Sequence, residues 1–179
     1  TGLLTNKIKN LVPMREEFFC NEIRRLALNS KSNTAYLNNS EYVVDREKFE
    51  LYLEAEAIRS GAKYFKGYSL VGSKEFLGAQ SLLFNTKSGI KSVSASTIIG
   101  CDGASSKVNE LFFHNKTKYF FGKQFVVKTH LENSSCYNVY FSREFSEFCG
   151  WLVPLGKDTA KVGLASINHA SVNKSLDDL

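Results

Sequence analysis

The sequence predicts an α+β fold, in which an α/β part is interleaved with a mostly antiparallel β-sheet. Residues 46–60 have apolar side chains four positions apart, at Phe49, Leu53 and Ala57, which is the spacing of an amphipathic helix. Residues 81–95 contain two strand-like runs around a glycine-containing turn. Beyond residue 120, short apolar runs alternate with polar turns, which is typical of antiparallel strands.

The first forty residues carry the least definite signals. Residues 1–10 indicate a loop that leads into a helix ending near Pro13. Residues 18–28 suit either a strand or a helix. Residues 29–40, rich in Asn and Ser, predict a strand, a turn and a second strand.

The predicted helix at residues 46–60 follows a short strand at residues 42–44. Asp45 is placed to cap its N-terminus, and Gly61 is placed to end it. Residues 62–65 then predict a strand, and a helix followed directly by a strand is typical of α/β structure.

The remaining elements follow the predicted hairpin. Residues 97–101 predict a buried apolar strand, and residues 107–113 predict a helix. Further strands are predicted at residues 125–127, 137–141, 151–153 and 161–165. A polar turn at residues 156–159 joins the last two. We expect an antiparallel sheet with one covered face.

Composition limits the classes of function. The 179 residues suit one domain or parts of two, and the 43% of hydrophobic residues suffices for a packed core. The net charge of +5 is ordinary for a soluble chain, and it also suits an anionic partner such as a phosphate or a phospholipid surface. No nucleic-acid-binding motif occurs, so nucleic acid is not an expected partner.

Cysteine usage predicts reduced thiols and a cytoplasmic protein without a metal site. The four cysteines are Cys20, Cys101, Cys136 and Cys149. None forms a C-x-x-C pair, and the three histidines are scattered. The chain begins with Thr1, and residues 174–179 resemble the opening of a helix, so we expect an internal part of a longer protein.

The segment with the strongest chemical signal is residues 97–108, with the sequence TIIGCDGASSKV. Glycines allow a ligand to approach the backbone, and an Asp at the carboxyl end of a strand lies where α/β sheets bind ligands. Free N–H groups at the following helix start favour an anion. An ordinary strand, turn and helix with Ser105 as N-cap explains the same pattern.

This segment resembles the Asp-Gly motif of flavoproteins related to p-hydroxybenzoate hydroxylase and the geranylgeranyl reductases. The matching residues are Gly100, Asp102, Gly103, Ser106 and Val108. The resemblance implies that Gly100, Asp102 and Gly103 contact FAD. Asn109 stands where the family usually has Arg.

A second segment, residues 42–62, is similar to the family pattern VVDRxxFDxxLxxxAxxxGA. The resemblance implies that Arg46 lies near the cofactor. A solvated residue in the first turn of a helix is the alternative, although a cation there is mildly unfavourable against the helix dipole. Residues 1–4 weakly resemble the family's Cys-Gly-Gly stretch.

A third segment, residues 148–165, resembles the geranylgeranyl reductase pattern YxWxFPK followed by a turn and a Val-Gly step. The matching residues are Trp151, Pro154, Val162 and Gly163. Three positions differ, because Cys149, Val153 and Leu155 replace the Tyr, Phe and Lys. The resemblance implies that Cys149, Trp151 and Pro154 line an apolar substrate cavity. Trp151 as plain sheet core is the alternative.

The resemblance implies an incomplete p-hydroxybenzoate hydroxylase-like fold. Residues 1–20 and 41–113 would belong to a partial FAD-binding domain, and residues 21–40 and 119–179 to a partial substrate-binding antiparallel sheet. The family's G-x-G-x-x-G and GDAA motifs do not occur in this sequence. We therefore expect the chain alone to bind FAD poorly and to be inactive.

The function implied by the resemblance is FAD-dependent reduction of prenyl (geranylgeranyl) double bonds in an isoprenoid lipid, as part of phospholipid metabolism. NAD(P)H or ferredoxin would supply electrons, and the protein would contact a membrane surface peripherally. No residue stands out as a catalytic proton donor. Two alternatives remain, an FAD-dependent aromatic hydroxylase and a non-catalytic lipid-binding module.

Overall fold

The computed structural model describes residues 2–76, 79–115, 118–142 and 148–167, and within them the chain is mainly β-sheet with few helices. The strands are β1 (Leu3–Thr5), β2 (Phe19–Asn29), β3 (Thr34–Val44), β4 (Ser69–Phe76), β5 (Ala79–Thr86), β6 (Gly89–Ser94), β7 (Phe121–Lys128), β8 (Cys136–Tyr140), β9 (Cys149–Pro154) and β10 (Thr159–Ser166). The α-helices are α1 (Arg46–Arg59) and α2 (Lys107–Phe112), and a 3-10 helix covers Asn6–Asn10. None of the helices in the described ranges has both the length and the apolar character of a membrane span.

The chain forms two compact units, residues 1–57 with 120–179, and residues 58–119. The first unit contains a seven-stranded sheet in the order β1-β3-β2-β8-β9-β10-β7. Neighbouring strands are antiparallel except for β2 and β8, which are parallel. Ile23, Val43 and Val153 come from three strands of this sheet, are fully buried and form one core cluster.

A second core cluster holds helix α1 in place. Phe18, Val44 and Phe49 are buried together, with Tyr52 packed against them. The rings of Phe18 and Phe49 meet edge to face with their centroids 5.2 Å apart. Burial of Phe49 is therefore what attaches α1 to the sheet.

The second unit contains the three-stranded antiparallel sheet β4-β5-β6 and helix α2. The hairpin between β5 and β6 turns at Gly89, which has a φ of 96°. The Thr86 hydroxyl donates a hydrogen bond of 2.7 Å to the Gly89 carbonyl oxygen and closes the turn. This hairpin confirms the prediction for residues 81–95.

Several other predicted elements are confirmed. Helix α1 has the predicted position, and Gly61 follows it with a φ of 94°. Of the ambiguous residues 18–28, all but Phe18 lie in strand β2, which pairs with β3 on one side and β8 on the other. The four strands predicted beyond residue 120 are β7 to β10, and β8, β9, β10 and β7 are antiparallel neighbours.

Two predicted strands are wrong. Residues 62–65 are irregular, and Tyr64 and Phe65 are more than half exposed. Residues 97–101 are also irregular, and the side chain of Ile99 is 82% exposed. A strand requires a hydrogen-bonded neighbour, and no strand in the described part of the chain pairs with either segment. Apolar composition alone predicted a burial that the tertiary structure does not provide.

The N-terminal prediction is also corrected. The sequence indicated a loop and then a helix at residues 1–10, whereas strand β1 pairs antiparallel with β3 before the 3-10 helix begins. The Gly2 carbonyl oxygen accepts a hydrogen bond of 2.9 Å from the Val44 N–H, which adds this segment to the edge of the sheet.

Candidate functional site

The loop between β6 and α2 contains the Gly-x-Asp-Gly sequence and is organised by Asp102. The Ser106 hydroxyl donates a hydrogen bond to Oδ1 of Asp102 at 2.6 Å, and the Val108 N–H donates to Oδ2 at 3.0 Å. The Ser106 hydroxyl oxygen also accepts from the Asn109 N–H at 2.9 Å, which makes Ser106 the N-cap of α2. Ser105, the N-cap in the alternative interpretation of the sequence, lies one residue too early.

These hydrogen bonds also stabilise the ionised form of the Asp102 carboxyl. The Ser106 hydroxyl, and after it the Val108 N–H, hold the pKa of the Asp102 carboxyl below its ordinary value. The residue is exposed, so the ionised carboxylate is not covered by packed protein. Because the loop is held by both carboxylate oxygens, its shape depends on this one side chain.

The two glycines of the loop have different roles. A Cβ at Gly100 would lie 2.8 Å from Cγ1 of the buried Val108, so close packing against α2 requires glycine there. Gly103 has a φ of 77°, and a Cβ there would meet no atom within 4 Å. Its backbone is therefore open to the approach of a ligand, whereas Gly100 serves the packing of the loop.

A polar hollow of about 690 Å³ lies beside α2 in the second unit. Its lining includes Ser106, Asn109 and His114. The Asn109 side chain donates a hydrogen bond of 2.9 Å from Nδ2 to the Asn115 carbonyl oxygen. Where the family usually has a cationic Arg, this chain therefore has an amide that ties down the end of the helix.

Arg46 is the first residue of α1, in the first unit. Its guanidinium donates hydrogen bonds to Oε1 of Glu50, the nearer at 2.5 Å, and 57% of its side chain is exposed. An exposed pair of this kind, one helical turn apart, contributes little to stability. The guanidinium can therefore leave Glu50 for another anion, so its position suits both a cofactor contact and a solvated residue.

The predicted substrate residues of β9 do not share one face of the sheet. Side chains alternate along a strand, so Cys149 and Trp151 project to one face and Pro154 to the other. Pro154 is fully buried, and its carbonyl oxygen accepts a hydrogen bond of 3.1 Å from Nδ2 of Asn21. Burial raises the pKa of the Cys149 thiol, so this cysteine is a neutral, partly buried group.

The indole of Trp151 lies across the neighbouring strand. A Cβ at Gly163 of β10 would lie 2.7 Å from Cζ2 of Trp151, so the ring occupies the space that glycine leaves open. Trp151 also packs against the core cluster of Ile23, Val43 and Val153. Its Nε1 is buried and has no hydrogen-bond partner within the described ranges. The ring of Trp151 is thus partly buried in the core and partly exposed. This fits both interpretations of the sequence, a residue that lines a substrate cavity and a residue of the sheet core.

The two units divide the predicted site residues. Arg46, Cys149, Trp151 and Pro154 belong to the first unit, and Gly100, Asp102 and Gly103 to the second. Ser106 was only a motif match in the sequence, yet its hydroxyl is what connects Asp102 to α2. An Asp followed four residues later by a Ser at a helix start is the signal that would have predicted this. In the described part of the chain, no three His, Cys, Asp or Glu side chains cluster as metal ligands.

No protein-family model matches the chain, and no curated protein matches its sequence. Solved structures do match it. A geranylgeranyl bacteriochlorophyll reductase-like protein from Thermoplasma acidophilum gives a TM-score of 0.84 at 19% identity, over 99% of this chain and 50% of that chain. A triple mutant of a flavin-dependent brominase gives 0.71 at 14% identity, over 93% and 47%. An aklavinone-11 hydroxylase, in a ternary complex with FAD and aklavinone, gives 0.57 at 14% identity, over 84% and 34%.

The chain spans about half the length of the reductase-like protein. At these identities the likeness concerns the fold and not the substrate. The chain therefore shares its fold with about half of a reductase-like protein and with parts of a flavin-dependent brominase and an FAD-bound hydroxylase.

Proposed function

We propose that the chain is part of an FAD-dependent oxidoreductase and that FAD is its cofactor. The observation that carries this proposal is the match of nearly the whole chain to part of a reductase-like protein and of flavin-dependent proteins. The Asp-Gly motif of the sequence, which resembles that of FAD-binding proteins, supports it independently.

The loop around Asp102 suits a dinucleotide. Each oxygen of the carboxylate accepts one hydrogen bond from the chain, and a carboxylate oxygen can accept a second. Asp102 can thus accept a hydrogen bond from a ligand hydroxyl, while the open backbone at Gly103 allows close approach. We assign Arg46, Gly100, Asp102 and Gly103 to cofactor binding, with Gly100 acting through its packing against Val108.

We also propose that different parts of the chain bind the cofactor and the substrate. Residues 1–20 and 41–113 would form the FAD-binding part, and residues 21–40 and 119–179 would form the substrate-binding sheet. When bound, reduced flavin supplies the hydride, and the protein supplies binding, orientation and exclusion of water. Trp151 and Cys149 share one face of the sheet and would line the substrate, while the buried Pro154 would support that wall from beneath.

The substrate that we propose is an isoprenoid lipid whose prenyl double bonds are reduced. This proposal is supported by the likeness to the geranylgeranyl bacteriochlorophyll reductase-like protein. The Trp-x-x-Pro strand and the Val-Gly step that follows it in the sequence support it as well. The net charge of +5 favours contact with an anionic membrane surface from the cytoplasm. NAD(P)H or ferredoxin would deliver the electrons.

An FAD-dependent aromatic hydroxylase is the second candidate. The observation that favours it is the likeness to the aklavinone-11 hydroxylase, whose structure contains both FAD and aklavinone. A non-catalytic lipid-binding module is a third possibility, and the presence or absence of bound flavin distinguishes it from both enzymes.

The test uses the full-length protein that contains this chain. We expect a yellow protein that, with flavin reduced by dithionite, adds two hydrogens to each reduced double bond of a geranylgeranyl lipid, as measured by mass spectrometry. Trp151→Ala should raise the KM for the lipid without lowering flavin occupancy, and Asp102→Ala should lower flavin occupancy. A colourless protein would contradict the cofactor. Oxygen-dependent NADPH oxidation with an aromatic substrate, and no lipid reduction, would contradict the reductase.

A further inference from the structure

A cavity of about 360 Å³ lies in the first unit, on the face of the sheet opposite to Trp151. Its lining includes Asn138 of β8 and Leu152 of β9, which lie directly opposite each other in the two strands and share one face. Side chains alternate along a strand, so Leu152 and Trp151 project to opposite faces. The cavity is therefore separate from the proposed substrate wall at Cys149 and Trp151.

A β-bulge in β2 brings Arg25 to this cavity. The N–H groups of Arg24 and Arg25 both donate to the Ser135 carbonyl oxygen, at 2.9 and 3.1 Å, and the register between β2 and β3 shifts at the same place. A bulge re-aims the side chain beside it. Arg25 pairs with Cys136 of β8, and both residues line the cavity.

Two neighbours define where the guanidinium of Arg25 lies. Its Cζ is 5.3 Å from the centroid of the Tyr36 ring, which is the distance of a cation–π contact. Burial raises the pKa of the Cys136 thiol and keeps the thiol neutral, while the nearby charge of Arg25 lowers that pKa by a smaller amount. Because Tyr36 and Cys136 both line the cavity, the charged end of Arg25 lies beside it as well.

This guanidinium has unused hydrogen-bond donors. Within the part of the chain that the structure describes, the Arg25 side chain forms no ion pair and no hydrogen bond. The adjacent Arg24, by contrast, donates to Oε2 of Glu22 at 3.0 Å. Arg25 can therefore donate two parallel hydrogen bonds to a planar acceptor, with the ring of Tyr36 supporting the guanidinium.

The rest of the lining favours a small ligand with an apolar part. Leu131, Tyr140 and Leu152 line the cavity and are each partly buried. The Leu131 N–H donates a hydrogen bond of 2.9 Å to the Lys157 carbonyl oxygen, which holds this wall against the turn between β9 and β10. The volume is near the lower end of the range for small-molecule sites, about 300–1,000 Å³.

The charges of the lining favour a ligand with one negative charge. Arg25 contributes one positive charge, and Glu132, which also lines the cavity, contributes a negative one. A second negative charge on the ligand would be repelled by Glu132 without a second cation to offset it. A carboxylate, which is a monoanion, therefore suits the cavity better than a phosphate dianion.

We propose that this cavity binds a small aliphatic carboxylate. The two carboxylate oxygens accept hydrogen bonds from the Arg25 guanidinium, because the planar fork of arginine matches a carboxylate. The hydrocarbon chain of the ligand contacts Leu131 and Leu152. This is a second binding site, and it depends neither on the proposed cofactor nor on the proposed lipid substrate.

The test titrates hexanoate into the full-length protein that contains this chain and follows ¹³C-labelled leucine methyl groups by NMR. We expect the methyl signals of Leu131 and Leu152 to shift and those of the fully buried Leu164 to stay in place. Hexanamide has the same length without the charge and should cause no saturable shift. The dispersion of the methyl spectrum shows that each variant is folded.

Arg25→Gln removes the charge and should weaken the binding of hexanoate about tenfold, as expected for one lost charge-assisted hydrogen bond. Arg24→Gln is the matched control, because Arg24 is the neighbouring exposed arginine and its guanidinium is bonded to Glu22. It should leave the affinity unchanged.

Three results would each overturn the proposal: equal weakening by the two variants, equal affinity for hexanamide, or no shift at Leu131 and Leu152. The titration does not depend on flavin. Its failure therefore leaves the FAD proposal intact, and a colourless full-length protein leaves this test intact.

Discussion

The Asp102 carboxylate connects the Asp-Gly loop to the start of α2 through both of its oxygens. A structural role of this kind and a cofactor role support each other, because a ligand that contacts the Gly103 backbone needs that loop to have one shape. The exposed carboxylate of Asp102 thus contributes the charge at this loop, and the buried side chain of Val108 contributes its packing.

The pH dependence of the Asp102 loop has a defined sign. The pKa of Asp102 is lowered from its ordinary value of 3.8, so the stabilisation by the ionised carboxylate is present above pH 3.8 and is lost as the pH falls through the lower, folded value. We expect the Val108 amide to lose protection from hydrogen exchange below pH 3.8. Asp102→Asn should lower that protection at neutral pH and remove its acid dependence. Protection in Asp102→Asn that equals the wild type would contradict the role of the carboxylate, and Asp158→Asn is the control.

Glycine at position 163 is required by its neighbours. A Cβ there would lie 2.5 Å from the Lys123 carbonyl oxygen and 2.7 Å from Cζ2 of Trp151. Gly163→Ala should therefore lower the free energy of unfolding by about 1–3 kcal/mol, as overpacking does. At Gly156 a Cβ would meet no atom within 4 Å, so Gly156→Ala should be nearly neutral. Urea denaturation measures both, and equal stability of the two variants would contradict the close contact of Trp151 with β10.

At the scale of elements, helix α1 depends on very little buried surface. Phe49 is the buried residue of α1, and it packs against Phe18 and Val44. Leu51, two positions further on, is 53% exposed. The helix is therefore attached through the buried ring of Phe49, with the partly buried ring of Tyr52 beside it.

Replacing that ring should release the helix. Phe49→Ala should lower the free energy of unfolding by about 3–5 kcal/mol, the usual cost of deleting a buried Phe. Leu51→Ala, on the same helix, should change it by less than about 0.5 kcal/mol. Urea denaturation followed by circular dichroism measures both variants. If Phe49→Ala is unfolded without denaturant, Phe49→Leu should show an intermediate loss, and similar values for Phe49→Ala and Leu51→Ala would contradict the role of the cluster.

Local sequence predicted the elements whose causes are local. The helix at residues 46–60 and the hairpin around Gly89 depend on spacing and turn chemistry within a few residues, and both are confirmed. The strand predicted at residues 97–101 failed, because a strand depends on a partner that apolar composition does not reveal. Trp151 and Pro154 lie on opposite faces because side chains alternate along a strand, a local rule that the family pattern does not take into account.

At the scale of the whole molecule, the chain spans about half the length of the reductase-like protein that shares its fold. The two units hold different predicted site residues, with Arg46 in the first and Asp102 in the second. An FAD site of the family's kind also includes the G-x-G-x-x-G motif, which does not occur in this sequence.

The chain alone should therefore bind FAD weakly. We expect the purified 179-residue chain to be colourless and to quench flavin fluorescence only at high protein concentration, because the phosphate-binding glycine motif of the family is not in this sequence. The full-length protein is the control and should retain FAD through purification. Tight, stoichiometric binding of FAD by residues 1–179 would contradict this expectation.

The sequence by itself determined the helix α1, the hairpin around Gly89 and the position of the Asp-Gly loop, because spacing, turn residues and caps act over a few neighbours. Only the tertiary structure decided that β2 pairs in parallel with β8 and that Trp151 lies over Gly163. These contacts join residues that are far apart in the chain or that compete with other neighbours. They depend on which strands pair and which faces are buried, and no local pattern contains that information.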